Sequence, residues 1–144
     1  MIPTRYLYQL AEDEGIAIEW QDLYYIQGMY IYTPGVAKPV IVLAKKLATC
    51  ERELRCILAH ELGHHYRTAG NYFVAASRTD FVYATKPERL ATKWAVDLLI
   101  PTNIFLHCLH RGMTVSELAD RFFVIPGFIR FKSELIGQKS YSLP

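Results

Sequence analysis

Between Thr4 and Glu14, apolar residues recur on one helical stripe through Leu7, Leu10 and Ala11, and Gly15 supplies a stop, so the chain opens with a helix. The period then changes. Ile16–Trp20, Tyr25–Thr33 and Pro39–Ala44 are rich in Ile, Val and Tyr and are predicted as three strands. Thr33-Pro34-Gly35 marks a turn between the second and third, which should pair as a hairpin. Short connections between all three favour an antiparallel sheet.

Helical spacing returns after Thr49. Leu54, Ile57, Leu58 and Leu62 form a stripe across Cys50–Tyr66. Ala69–Thr85 has no clear period and reads as an irregular loop, with a lid as one possible role. Pro87–Ile100 is helical again and ends at Pro101; Thr102–His110 is a short helix closed by Gly112. Thr114–Phe123 and Pro126–Ile136 complete the pattern as a helix pair, with Gly137 as the stop. No repeat, low-complexity tract or linker interrupts this order. Residues 1–144 are therefore expected to form a single α+β domain with an N-terminal helix, a three-stranded, mostly antiparallel sheet and a C-terminal helical bundle.

The helix over Cys50–Tyr66 carries the chemistry. Residues four apart on a helix lie one above the other, so His60 and His64 can aim both imidazoles at one point, which suits zinc. Glu61, beside the first of them, is placed to take a proton from a zinc-activated water rather than to bind the metal. This is the H-E-x-x-H pattern of zinc peptidases. Gly63 is unfavourable in a helix interior by about 1 kcal/mol relative to Ala, which suggests that another backbone or a substrate comes close there.

A catalytic zinc needs a third protein ligand. Asp80, Glu88, Asp97, His107 and His110 are the downstream candidates. Ala91 and Ala95 share a helix face with Glu88 and would let that helix lie closely against the His60/His64 helix. Asp97, nine residues on from Glu88, falls on the opposite face at about 100° per residue. Thr85-Lys86-Pro87-Glu88 also reads as a capping box, and spacing alone leaves Glu88 open between cap and ligand. His107 and His110, three apart, are a weaker second metal pair.

Bulk properties narrow the setting. The 144 residues are 51% apolar and 21% charged, a globular composition, and a formal charge of +2 gives no concentrated basic signal for nucleic acid. Three cysteines, Cys50, Cys56 and Cys108, lack framework spacing, and the start has no export-signal pattern; both point to a reducing cytoplasm. No apolar run reaches the length of a membrane span.

With these residues in place, the chain resembles the ImmA/IrrE family of metallopeptidases over most of its length. Ile57-Leu58-Ala59-His60-Glu61-Leu62-Gly63-His64 is similar to the family's AHELGH helix, and the segment Glu88 to Pro101 to its E-x-x-A-N-x-F-A-x-x-L-L-M-P segment. The resemblance implies a small zincin-like domain with Glu88 as third zinc ligand. Leu90 stands where many relatives carry a second acid, Thr92 where they have Asn, Ser or Asp, and Trp94 replaces Phe. Thr92 is a candidate for a hydrogen bond supporting a ligand.

Residues 113–137 are similar to the family's C-terminal helix pair and read like a helix-turn-helix, with Thr114 and Glu117 as a capping box and Pro126 opening the second helix. Phe128, Ile129, Phe131 and Leu135, with only Arg130 and Lys132 as nearby cations, favour packing over major-groove contact. The resemblance further implies an endopeptidase that cuts a partner helix-turn-helix repressor, as in phage or mobile-element regulation. Two rivals are a zinc-binding regulator that grips the repressor without cutting it and a DNA-binding regulator using the helix pair. An exposed strand within Tyr25–Ala44 would hold an extended substrate by strand addition. Tyr66, Tyr72, Tyr83 and Arg89 are eligible to stabilise an oxyanion.

Overall fold

The structure, a computed structural model, describes residues 1–68, 74–77 and 85–141. Helix α1 (Thr4–Asp13) buries Leu7 and Ala11 and ends at Gly15, whose φ of +70° turns the chain into the sheet. Strands β1 (Ala17–Gln21), β2 (Gly28–Ile31) and β3 (Val40–Ala44) follow, then a 3₁₀ turn (Lys45–Thr49) and the long helix α2 (Glu51–Thr68). Strand β4 (Val74–Ser77) precedes α3 (Lys86–Leu99), α4 (Thr102–His110), α5 (Val115–Phe122) and α6 (Pro126–Tyr141). The α+β class expected from the sequence holds. No helix among the described residues is long and apolar enough to cross a membrane.

The sheet departs from the simple meander. Its order is β1-β3-β2-β4. β2 and β3 pair antiparallel from Gly28↔Leu43 to Ile31↔Val40, the expected hairpin, but β1 runs parallel to β3 with Ala17↔Val40 in register. Burial explains the order. Ile41, Val42, Leu43 and Ala44 are buried on both faces, which suits an interior strand, whereas β1 alternates exposed and half-buried positions and suits an edge. Residues 22–27 cross the ~10 Å between alternate strands, a distance that six residues cover easily.

β4 lies inside the stretch read as loop. Val-Ala-Ala-Ser is too short and bland to show a period, yet it pairs antiparallel with β2 from Gly28↔Ser77 to Ile31↔Val74. The rest of that stretch, 69–73 and 78–84, and with it the question of a lid, lies outside the described residues. Because β2 and β3 are interior, their backbone groups are already paired and strand addition within Tyr25–Ala44 is not available. Gly137 is no stop either: α6 runs through it to Tyr141.

Two tight contacts set the helices. A Cβ on Gly28 would lie 2.8 Å from Ile57 Cγ2, so glycine lets α2 settle onto β2. A Cβ on Gly63 would overlap the Ala91 carbonyl oxygen and lie 2.9 Å from Ala91 Cα, so α2 and α3 meet backbone to backbone. Ala91 and Ala95 are fully buried at this crossing. Arg55, also fully buried, donates to the carbonyls of Ile2 (2.6 Å) and Phe122 (3.4 Å), tying the chain start and the end of α5 to α2. Thr114 and Glu117 form the expected reciprocal cap on α5, with bonds of 3.2 and 2.8 Å.

Urea denaturation of two glycine variants tests this packing. Gly63→Ala should lose about 3 kcal/mol, because two backbones must separate. Gly137→Ala, with nothing within 4 Å of the added carbon, should gain up to about 1 kcal/mol.

Candidate metal centre

His60, Glu61 and His64 are each completely buried on α2. The two imidazoles, one turn apart, sit with ring centres at 4.8 Å and planes nearly perpendicular. Against them comes the first turn of α3. Thr85 caps that helix, its hydroxyl accepting from the Glu88 N–H at 3.4 Å. The Glu88 carboxylate is turned to the histidines, with Oε2 at 2.8 Å from His60 Nε2 and Oε1 at 3.2 Å from His64 Nε2. Cap and site thus share this turn, and the positive end of the helix favours the carboxylate.

Thr92, one turn further along α3, orients His60. Its hydroxyl donates to the Glu88 carbonyl at 2.9 Å, which uses its only hydrogen. Toward His60 Nδ1, at 3.0 Å, it must therefore accept, so Nδ1 carries the proton. The Nε2 lone pair then points at Glu88. Burial lowers the His60 pKa, the Glu88 contact only partly opposing this, and the ring is neutral. A neutral nitrogen lone pair and a carboxylate facing each other at 2.8 Å repel unless a cation lies between them. One nitrogen from each histidine and one Glu88 oxygen all lie within 4.8 Å of one another. Two imidazoles and a carboxylate are a donor set that suits a divalent metal.

A profile search places residues 11–134 in a peptidase family described as the IrrE N-terminal-like domain. The chain belongs to this family. No curated protein matches it significantly. The IrrE-like match spans every element from the end of α1 into α6, so the His-His-Glu group lies well inside it.

The other residues singled out in the IrrE-like chain fall elsewhere. Asp97 is on the far face of α3, where it accepts from Lys93 (2.7 Å) and Lys132 (3.0 Å). Lys132 is buried and also donates to Thr102 at 2.9 Å, so this α6 cation is engaged internally, while Phe128, Ile129 and Phe131 are buried in the core. His107 and His110 sit exposed on α4, apart from the His-His-Glu group. Tyr66 stacks on Trp94 with ring centres at 4.8 Å, and Arg89 is exposed on α3. Asp80, Tyr72 and Tyr83 lie outside the described residues.

Two supports escaped sequence reasoning. Gly28 makes room for Glu61, whose Cγ would lie 3.4 Å from an added Cβ; a glycine in an apolar strand run was the available signal. Tyr30, His65 and Glu14 form a hydrogen-bonded chain that ties α2 to β2 and α1. Tyr30 Oη is 2.8 Å from His65 Nδ1, and His65 Nε2 is 3.0 Å from Glu14. Since the carboxylate can only accept, His65 donates to Glu14 and accepts from Tyr30. Burial pushes the Tyr30 pKa up to about 12, keeping its proton in place. Partners 35 and 51 residues apart leave no local mark in the sequence.

Asp97 supplies a pH test. Burial would raise its pKa, but hydrogen bonds from Lys93 and Lys132 outweigh this and hold it below the ordinary 3.8. Its contribution is therefore complete above the unfolded value and is lost as pH falls through the lower folded value. Asp97→Asn should cost about 2 kcal/mol at pH 7, less than a fully buried pair because Asp97 is half exposed. In parallel denaturation curves the gap between wild type and variant should close below about pH 4.

Proposed function

We propose that this chain is a zinc-dependent endopeptidase whose metal is held by His60, His64 and Glu88, with Glu61 as general base. The observation that carries this reading is the convergence of the three donor groups beside a buried glutamate, in a member of a peptidase family. His60 and His64 would hold the metal through nitrogen and Glu88 through oxygen, a donor set that suits a catalytic zinc. Bound there, zinc supplies Lewis acidity, polarising a scissile carbonyl and acidifying water.

The protein residues do the rest. Glu61 accepts the proton of the attacking water and returns it to the departing amide nitrogen. Its burial between α2 and β2 strengthens that interaction by excluding competing solvent. Thr92 holds His60 in the tautomer whose Nε2 can coordinate. β4 stands at the end of the sheet order, and an extended substrate is proposed to add along it. The substrate is proposed to be a helix-turn-helix repressor acting with this protein in a reducing cytoplasm, a reading supported by the resemblance described above.

Incubation with the repressor encoded beside its gene tests the proposal. Wild type should cut it into two fragments, and a chelator should abolish cleavage. Glu61→Gln should keep zinc and lose at least about a thousandfold in rate. Repressor released from its operator by an uncut complex with Glu61→Gln would instead mean grip without hydrolysis.

Thr92 gives an independent reading of the centre. In competition with a metal-sensitive dye, Thr92→Val should weaken zinc binding by about 10–100-fold, while Thr92→Ser should stay near wild type. Equal affinities for all three proteins would remove Thr92 from the support of His60.

A further inference from the structure

The face of α3 that turns away from the metal group borders a groove. At about 100° per residue, Glu88, Ala91, Thr92 and Ala95 share one face, Leu90 and Trp94 point away from it, and Leu98, about 20° from Ala91, stands at its border. A cavity of about 310 Å³ opens over Leu90, Trp94 and Leu98 beside Arg67 of α2. A second, of about 130 Å³, adjoins it through Leu90 and Lys93 and reaches Lys86, Arg89 and the α6 residues Phe131 and Leu135. From Lys86 to Leu98 the groove follows α3 for ~18 Å, about three helical turns.

The lining has one charge sign to spare. Lys93 is engaged by Asp97, but Arg67, Lys86 and Arg89 have no ion pair among the described residues. All three are exposed, Arg67 beside the half-buried Leu90, Trp94 and Leu98 of the first cavity and Lys86 and Arg89 beside Leu90, Phe131 and Leu135 of the second. We propose that this groove docks an acidic amphipathic helix of a protein partner. Leucine-like anchors would cover Leu90, Trp94 and Leu98, while carboxylates would meet Arg67, Lys86 and Arg89. The backbone of α3 is used in its own helix, so strand addition is closed here and recognition runs through side chains. Nucleic acid would meet the cations and leave the apolar floor uncovered.

This deepens the peptidase reading, because the same helix carries Glu88 and Thr92 on its inner face. A partner held on the outer face is thereby brought beside the site. The proposal rests on that reading for its meaning but not for its test, since binding is read without cleavage.

The probe is a fluorescein-labelled sixteen-residue peptide of Leu, Ala and Glu with leucines at helical i, i+3, i+4, i+7 spacing. It is titrated by anisotropy with the zinc-loaded full chain, and its integrity is checked by mass spectrometry. Saturable binding is expected, at least tenfold tighter than that of a scrambled peptide of equal composition or of a labelled DNA duplex. Arg67→Glu/Lys86→Glu/Arg89→Glu should weaken it at least tenfold with its circular dichroism spectrum unchanged. If that variant does not fold, Arg89→Glu alone should weaken binding severalfold, and wild-type affinity should fall severalfold with added salt. Absence of saturable binding, equal affinity for the scrambled peptide, tighter binding of the duplex, or affinity indifferent to these charges would overturn the proposal.

Discussion

The contact between the backbones of α2 and α3 at Gly63 and Ala91 governs the molecule. Helices with ordinary side chains at the contact pack 8–10 Å apart. Here Gly63 removes the side chain on one side, and Ala91 and Ala95 keep the other side small. Glu88 and Thr92 are carried on the same face of α3, so the approach that closes the helix pair also delivers a carboxylate to two imidazoles. A glycine inside α2 costs about 1 kcal/mol in helix propensity, and the assembled site is what the close approach makes possible.

The electrostatics follow from that geometry. Burial disfavours charge on His60, the cap and the dipole of α3 favour a carboxylate at Glu88, and Thr92 chooses which imidazole nitrogen faces inward. The three effects leave electron-rich atoms converging in a place that water does not reach freely. Such an arrangement is stable only with positive charge at its centre. The outer supports work on the same elements: Gly28 seats α2 on the sheet, and the Tyr30–His65–Glu14 chain secures its far half.

Local spacing made part of this legible. His60 and His64 are one turn apart on a helix whose apolar stripe is plain, and helix phase correctly sent Asp97 away from Glu88. Gly63 signalled a close approach because nothing on a helix surface asks for glycine. Glu88 was ambiguous for a physical reason: Thr85 does cap α3 through the Glu88 N–H while the side chain reaches the histidines. Sheet order was not legible, because it depends on which strand is buried on both faces rather than on loop length. β4 was missed since four small residues carry no period, and pairings across dozens of residues leave no pattern at all.

X-ray absorption at the zinc edge, on protein loaded with one equivalent of zinc, tests the site most directly. The donor group described here predicts a first shell of two imidazole nitrogens with oxygen and no sulfur, and the loss of one oxygen donor in Glu88→Ala. A spectrum showing thiolate from Cys50, Cys56 or Cys108, a single imidazole, or a first shell unchanged by Glu88→Ala would contradict it.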